Sequence, residues 1–205
     1  MARKKVEDEY DDTGVASNPG RLRINPIRWA VHYPLWPSIW TGSLALTIVA
    51  TWIIDGAFIF LAVPCLALNF LYWRNLRLHF WLGCANPAIV VTLDPMLVAV
   101  LSDLSKGEED YPVIKIIRFP ASRVMGQLPQ IGSRLVTVAT YSNKWDPHLP
   151  HWDDFDPRPI DAVTTNIGEL DRLMSTFSAE SWRAFASCLK QVPRPYRVGL
   201  YHLKL

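Results

Sequence analysis

The chain has few of the residues that usually announce chemistry. Cysteine occurs three times in 205 residues, at Cys65, Cys84 and Cys188. No CxxC spacing is present, which excludes a disulfide framework and a zinc knuckle and fits a reducing compartment. The ten glycines are dispersed, so no glycine-rich loop can cradle a phosphate or a dinucleotide. There is no G-x-S-x-G elbow, and Cys84 has no evident basic partner to activate it. Charge of one sign is lacking too: the net charge is +2, and Ala85–Leu205 carries 13 Lys+Arg against 13 Asp+Glu. A duplex-binding surface needs a basic excess to displace counterions, so nucleic acid is not an expected partner. Histidine is absent from Ser38–Trp73, leaving that stretch without an imidazole ligand for haem or chlorophyll. No cofactor is indicated.

What the chain does have is an apolar run. Ser38–Trp73 is 36 residues long with one charge, Asp55, near its middle. As a single helix it would be roughly 54 Å long and would place Asp55 in hydrocarbon at a cost of about 3 kcal/mol. Asp55-Gly56 is a good turn pair, and breaking the helix there returns the carboxylate to water. The run then reads as a helical hairpin with spans Ser38–Ile54 and Ala57–Trp73, each roughly 25 Å long and near the short limit for a bilayer. Pro34 and Pro37 bar a helix entering from upstream, so the first span is expected to start near Ser38.

The flanks support a membrane location. Trp36, Trp40 and Trp73 fall at one water interface and Trp52 at the other, with Trp81 just beyond; this is an aromatic belt. Arg21, Arg23 and Arg28 precede the hairpin and Arg74 and Arg77 follow it, whereas the turn offers only Asp55. The positive-inside rule then places both termini in the cytoplasm, at the inner membrane of the cell. Ser43, Thr47 and Thr51 form a small polar stripe on the first span, and Ala62, Cys65 and Asn69 a similar face on the second, with Pro64 as a kink. Small faces allow close approach, so these residues are the expected helix-packing surface. Arg74–Leu82 mixes cations with Leu, Phe and Trp and reads as the cytoplasmic end of the second helix, bending along the headgroups as an interfacial extension.

Three regions follow: a polar tail and basic segment over 1–33, the hairpin and its extension over 34–84, and a β-rich domain over 85–205. Met1–Pro19 has no apolar core, is not a cleavable signal peptide, and is expected to be disordered unless a partner holds it. From Ala88 the period becomes that of strands: Ala88–Leu93, Met96–Leu101, Val113–Arg118, Ser122–Gln127, Arg134–Tyr141 and Pro159–Thr165. Ser105–Asp110 is a polar loop and Pro129–Gly132 a turn. Asn166 with Glu169 makes a capping box for a helix over Ile167–Phe177, and Ser178 caps another over Ala179–Gln191. The tail from Tyr196 is expected to dock or to add an edge strand. The fold class is α+β: a transmembrane helical hairpin, then a small SH3-like or OB-like barrel or rolled sheet with two C-terminal helices.

The only cluster with ligand-bearing side chains is the loop Asp146–Asp156, DPHLPHWDDFD. His148, His151, Asp153, Asp154 and Asp156 have suitable ligand atoms for a metal. The H-x-x-H pair lacks the helical i, i+4 geometry of metalloprotease ligands, and Trp152 and Phe155 among the aspartates suggest a loop pinned by its aromatics. The soluble part also resembles an uncharacterised bacterial family of small, often membrane-anchored proteins. The residues that carry the resemblance are Asn86-Pro87-Ala88, Tyr111–Ile116, His151–Pro157 and Val192–Tyr196. The resemblance implies no activity.

Two functions are compatible with these residues. The first is a non-catalytic accessory or scaffold subunit of a larger membrane assembly (respiratory, photosynthetic or secretory), in contact with the bilayer and with other subunits. The alternative is a membrane-tethered, metal-dependent enzyme working through the His148–Asp156 loop.

Overall fold

The apolar run folds as two helices that part at Asp55. A computed structural model describes residues 17–106, 110–119, 123–143 and 149–204. Helix α1 (Pro26–His32) is capped by Asn25, whose Oδ1 accepts the N–H groups of Ile27 and Arg28, both at 3.1 Å. Pro34 separates it from α2 (Leu35–Ile53). That helix starts three residues before Ser38, because Pro37 lies in its first turn, where a missing N–H costs nothing. At Asp55 the backbone becomes extended (φ −157°, ψ 135°), and the carboxylate accepts the Ala57 N–H at 2.7 Å. A 3₁₀ turn over Gly56–Phe58 leads into α3 (Ile59–Leu82), which carries Pro64 inside it. Arg74–Leu82 is, as expected, the end of this same helix. Helices α2 and α3 are antiparallel neighbours, with the Asn69 amide donating to Thr41 Oγ1 at 3.2 Å.

Gly83 ends α3, and the sheet begins at the next residue. Among the described residues the strands are β1 (Cys84–Leu93), β2 (Met96–Asp103), β3 (Pro112–Arg118), β4 (Arg134–Ser142), β5 (Asp154–Pro159) and β6 (Gly199–His202). Their order is β5-β4-β1-β2-β3-β6, every neighbour antiparallel. The sheet curls into a half-barrel. At one end Trp152 N–H donates to the Leu104 carbonyl at 2.8 Å, so the approach to β5 pairs with the exit of β2. Lys115 of β3 reaches across to Asp154 at 2.7 Å and to the Phe155 carbonyl.

The expected rolled sheet is present, with three boundary corrections. Strand β1 starts at Cys84 rather than Ala88, since Asn86 and Pro87 stay in register with Thr137 and Val136. The strand placed at Pro159–Thr165 lies earlier, because Pro159 ends β5 and a 3₁₀ turn over Ile160–Ala162 follows. Val124 and Gln127 pair with each other across a tight turn, so the described part of Ser122–Gln127 is no strand; Ser122 lies outside the described residues. The C-terminal segment supplies edge strand β6.

Helices α4 (Ile167–Met174) and α5 (Ala179–Leu189) complete the domain. Asn166 Oδ1 accepts from Gly168 N–H at 3.0 Å, but the reciprocal arm of the expected box is diverted, with Glu169 accepting the Thr164 hydroxyl at 2.8 Å. Ser178 caps α5 as its sequence implies, accepting Ser181 N–H at 3.1 Å. One core cluster joins Trp29, Leu76 and Phe80 to Val136 and Val138 and continues through Val98, Val100 and Phe155. A second packs Trp182 and Phe185 of α5 on Ala99, Ile114 and Ile116. Each large side chain buried in this way contributes about 1.5–3 kcal/mol.

The junction between α3 and the sheet is stitched by the segment before α1. Gly20, Arg21 and Leu22 N–H groups donate to the Gly83, Trp81 and Phe80 carbonyls at 2.9, 3.2 and 3.1 Å, and Ala85 N–H donates to Asn18 at 2.7 Å. Such an approach leaves no room for a side chain at Gly83 or Gly20. A Cβ on Gly83 would collide with the His79 carbonyl and lie 2.8 Å from that of Ala139, and one on Gly20 would lie 2.7 Å from the Phe80 carbonyl. Gly83→Ala is therefore expected to cost about 1–3 kcal/mol, as overpacking typically does. Gly42→Ala, at a helical position with open space around it, is expected to be neutral or stabilising by up to about 1 kcal/mol. Denaturant titration of the two variants in detergent checks the contrast.

Asp161 holds the turn at Val124–Gln127. Its carboxylate accepts the N–H of Met125 at 2.6 Å, and Met125 sits in the left-handed region at φ 51°. Asp161 is 2 % exposed, and its second oxygen has no partner. Burial, only partly offset by the Met125 N–H and by Arg28, raises its pKa above the ordinary carboxylate value. With the folded value above the unfolded one, its contribution to stability is full below the unfolded pKa. It is lost as pH rises through the folded value. Asp161→Asn keeps the acceptor and removes the charge, so it is expected to raise stability at neutral pH and to flatten this acidic dependence. Asp161→Ala leaves the Met125 N–H unpaired and is expected to destabilise at every pH. Melting curves at stepped pH distinguish the three proteins.

Candidate functional site

The feature that sets this molecule apart is its exposed helix pair. Gly56–Leu82 is long and apolar enough to cross a membrane, and only 6 % of its most apolar window is buried. A core helix would be mostly buried. Phe60 and Phe70 of α3 are exposed, and so are Leu46 and Ile53 of α2. Contiguous apolar surface on this scale marks an interaction with a membrane or another protein.

The expected packing residues occupy the less exposed stripes of both helices. Ser43, Thr47 and Thr51 are half-buried, beside buried Ala50. Their hydroxyls donate to carbonyls of their own helix, Ser43 to Trp40 at 3.1 Å, Thr47 to Leu44 at 2.9 Å and Thr51 to Thr47 at 2.8 Å. In α3, Ala62 is buried and Cys65 and Asn69 are half-buried. The interhelical hydrogen bond of Asn69 goes to Thr41, which the four-residue spacing of the stripe did not include. Trp36 and Trp40 stack at 6.2 Å in the first turns of α2, while Trp52, in its last turn, is 86 % exposed. Trp73 is half-buried with its ring edge-on to Tyr72 at 5.2 Å, and Trp81 is exposed.

Arginines collar the base of the pair. Arg21, Arg23, Arg74 and Arg77 are exposed. Arg28 is drawn inward, its Nε donating to the Asp161 carbonyl at 2.6 Å.

The half-barrel holds a polar network that strand patterning alone did not single out. Asn86, Ser102 and Tyr141 come from β1, β2 and β4. Tyr141 OH lies 2.7 Å from Ser102 Oγ, and Ser102 donates to Asn86 Oδ1 at 3.1 Å. Burial pushes the Tyr141 phenol up to about 12, so it stays protonated. The signal available in the sequence was three polar residues at inward positions of apolar strands. His79 is engaged at both ring nitrogens, Nε2 2.9 Å from the Val138 carbonyl and Nδ1 3.3 Å from Thr140 Oγ1.

The described candidate metal residues are engaged with other groups. His148 lies outside the described residues. His151 packs on the Tyr111 ring at 4.1 Å, and its Nδ1 is 2.9 Å from the Trp152 carbonyl. Asp154 binds Lys115, Asp156 binds Arg158 at 2.8 Å, and the Asp153 N–H donates to the Ser142 carbonyl at 3.2 Å. Among the described residues no three His, Cys, Asp or Glu side chains group to hold a metal ion. Trp152 lies under the Lys106 ammonium at 5.0 Å and beside the Tyr141 ring.

Comparison with known proteins gives a family and no activity. No curated protein matches the chain. A crystal structure of a "putative membrane protein" from Corynebacterium diphtheriae is similar at 20 % identity with a TM-score of 0.48, covering 58 % of this chain and 99 % of that one. Residues 74–193 match the model of the family described as "Protein of unknown function (DUF3239)". That match starts within α3, takes in β1 to β5 with α4 and α5, and spans more than half of the sequence, so the chain belongs to the DUF3239 family.

Proposed function

We propose that this protein is a non-catalytic accessory or scaffold subunit of a larger membrane assembly. In this reading α2 and α3 both enter the bilayer as a hairpin, and the half-barrel rests at the cytoplasmic face. The observation that carries the reading is the helix pair itself, which exposes apolar side chains along its length yet is held at its junction with the sheet by backbone bonds from Gly20, Arg21 and Leu22. A flexible tether would need no such junction; a rigid one fixes the height and orientation of the domain against neighbouring subunits. The exposed arginines at the base and Asp55 at the tip support cytoplasmic termini by the positive-inside rule. Helix α1 fits the same picture. Trp29 points into the core while Ile27 and Val31 are exposed, as on a helix lying at a headgroup layer.

The test has two parts, both on a chain whose three native cysteines are replaced by serine. A cysteine at Gly56 is expected to react with an impermeant maleimide in intact cells, and one at Ser105 only after lysis. Reaction of both from the same side would sink the hairpin. Deletion of residues 2–16 spares Asn18 and Pro19, which are bonded to β1. The truncated protein is expected to remain inserted but to lose co-purifying subunits at lower salt than the full chain, since exposed charge contacts are screened within about 8 Å at physiological ionic strength. Recovery of a monomer from gentle detergent, whatever the salt, would remove the accessory-subunit reading.

A further inference from the structure

A groove of about 600 Å³ runs along α3 and is also lined by Pro26 of α1. Its lining changes character along its length. Leu66 and Phe70, with Asn69 whose amide is turned to Thr41, form the end nearer the helix turn, Trp73 the middle, and Arg74 and Arg77 the end nearer the sheet, with Leu78 beside them. These positions recur every three or four residues, so they form one stripe of about 18 Å. Helix α3 has no acidic residue, and among the described residues neither Arg74 nor Arg77 has a carboxylate within salt-bridge distance. Two guanidinium groups at i, i+3 repel each other unless an anion lies between them.

We propose that this groove binds one anionic phospholipid, its phosphate held by Arg74 and Arg77 and an acyl chain lying along Phe70 and Leu66. The proposal rests on the hairpin reading above, which places the arginine end at the cytoplasmic headgroup layer and the Leu66 end in hydrocarbon. A lipid of that leaflet has the same polarity and needs no reorientation to enter. A free phosphate would use the arginines but leave the apolar wall without an occupant. A zwitterionic lipid would bring its own cation against the pair. Basic pockets at the cytoplasmic ends of membrane helices are suited to anionic headgroups for this reason.

The experiment is native mass spectrometry of the detergent-solubilised full chain, titrated with phosphatidylglycerol or phosphatidylcholine of matched acyl chains. One phosphatidylglycerol is expected to bind in preference to phosphatidylcholine. Arg74→Gln with Arg77→Gln is expected to weaken that binding about thirty-fold, at about 1 kcal/mol for each arginine. Arg21→Gln with Arg23→Gln serves as the control and is expected to change it little. Phe70→Ala is expected to weaken both lipids alike. Glycerol phosphate, which has the headgroup anion without the chain, is expected not to compete. Equal binding of the two lipids, unchanged phosphatidylglycerol binding by the Arg74/Arg77 variant, or effective competition by glycerol phosphate would each overturn the proposal. Resistance of the same proteins to alkaline extraction from membranes separates the readings. An inserted chain without lipid preference loses only the groove, whereas an extracted chain loses the hairpin as well.

Discussion

The close approach at Gly83 is the constraint on which the rest of the molecule depends. A long helix that simply ended in a loop would let the sheet swing on its anchor. Here α3 passes into β1 within one residue, and the Gly20–Leu22 backbone bonds to the last turn of the helix and to Gly83. Because the bonds are between backbones, they persist whatever side chains flank them, provided that glycine stays where a Cβ would meet a carbonyl. Phe80, fully buried, and Trp29, nearly so, then fill the angle between helix and sheet, their rings edge-on at 5.9 Å. Arg172 of α4 closes the stitch with a 2.7 Å bond to the Gly20 carbonyl. Orientation of the helix pair and orientation of the domain are thus one property.

That coupling explains the division of polarity along α3. Its last turns, holding Leu76, His79 and Phe80, are buried against the domain, while the turns before them present Phe60, Val63 and Leu66 outward. The same helix serves a core at one end and an apolar surface at the other. The arginines mark the boundary. Their spacing places both on the face that the sheet leaves open, so the transition from protein packing to exposed hydrocarbon coincides with a band of positive charge.

How much of this was legible in the sequence depends on how local the cause was. The break at Asp55 and the cap at Ser178 are set by residues within one turn, and both were readable. So was the strand character of β2 and β3, whose two faces meet different cores. What could not be read depended on partners far along the chain. Strand β1 extends back to Cys84 because β4 pairs with it some 50 residues later. Pro159–Thr165 looks apolar enough for a strand, yet Ile160 and Val163 are wanted by the core under α1, and a 3₁₀ turn delivers both. The Asn86–Ser102–Tyr141 network and the crossing of Lys115 to β5 were equally hidden, since curvature of the sheet, which no short window encodes, brings them together. Of the sites, the helix faces and the arginine collar came from patterning. The groove did not, because Pro26 reaches its lining from another helix.

The edges of the sheet constrain how the domain can meet other proteins. An open half-barrel has two exposed edges, and unpaired edge strands invite pairing with another chain. Strand β5 carries Pro157 and Pro159 in register with Ala139 and Thr137. A proline inside a paired edge strand must turn its nitrogen outward, and that nitrogen has no hydrogen to offer a neighbour. Strand β6 is only four residues long, and Lys115 of β3 reaches Asp154 and the Phe155 carbonyl of β5 across the curled sheet. Strand addition is therefore disfavoured at both sides. What the molecule offers a neighbour is therefore side-chain surface: the outer faces of α2 and α3, the exposed face of α1, and the groove lined by Arg74 and Arg77.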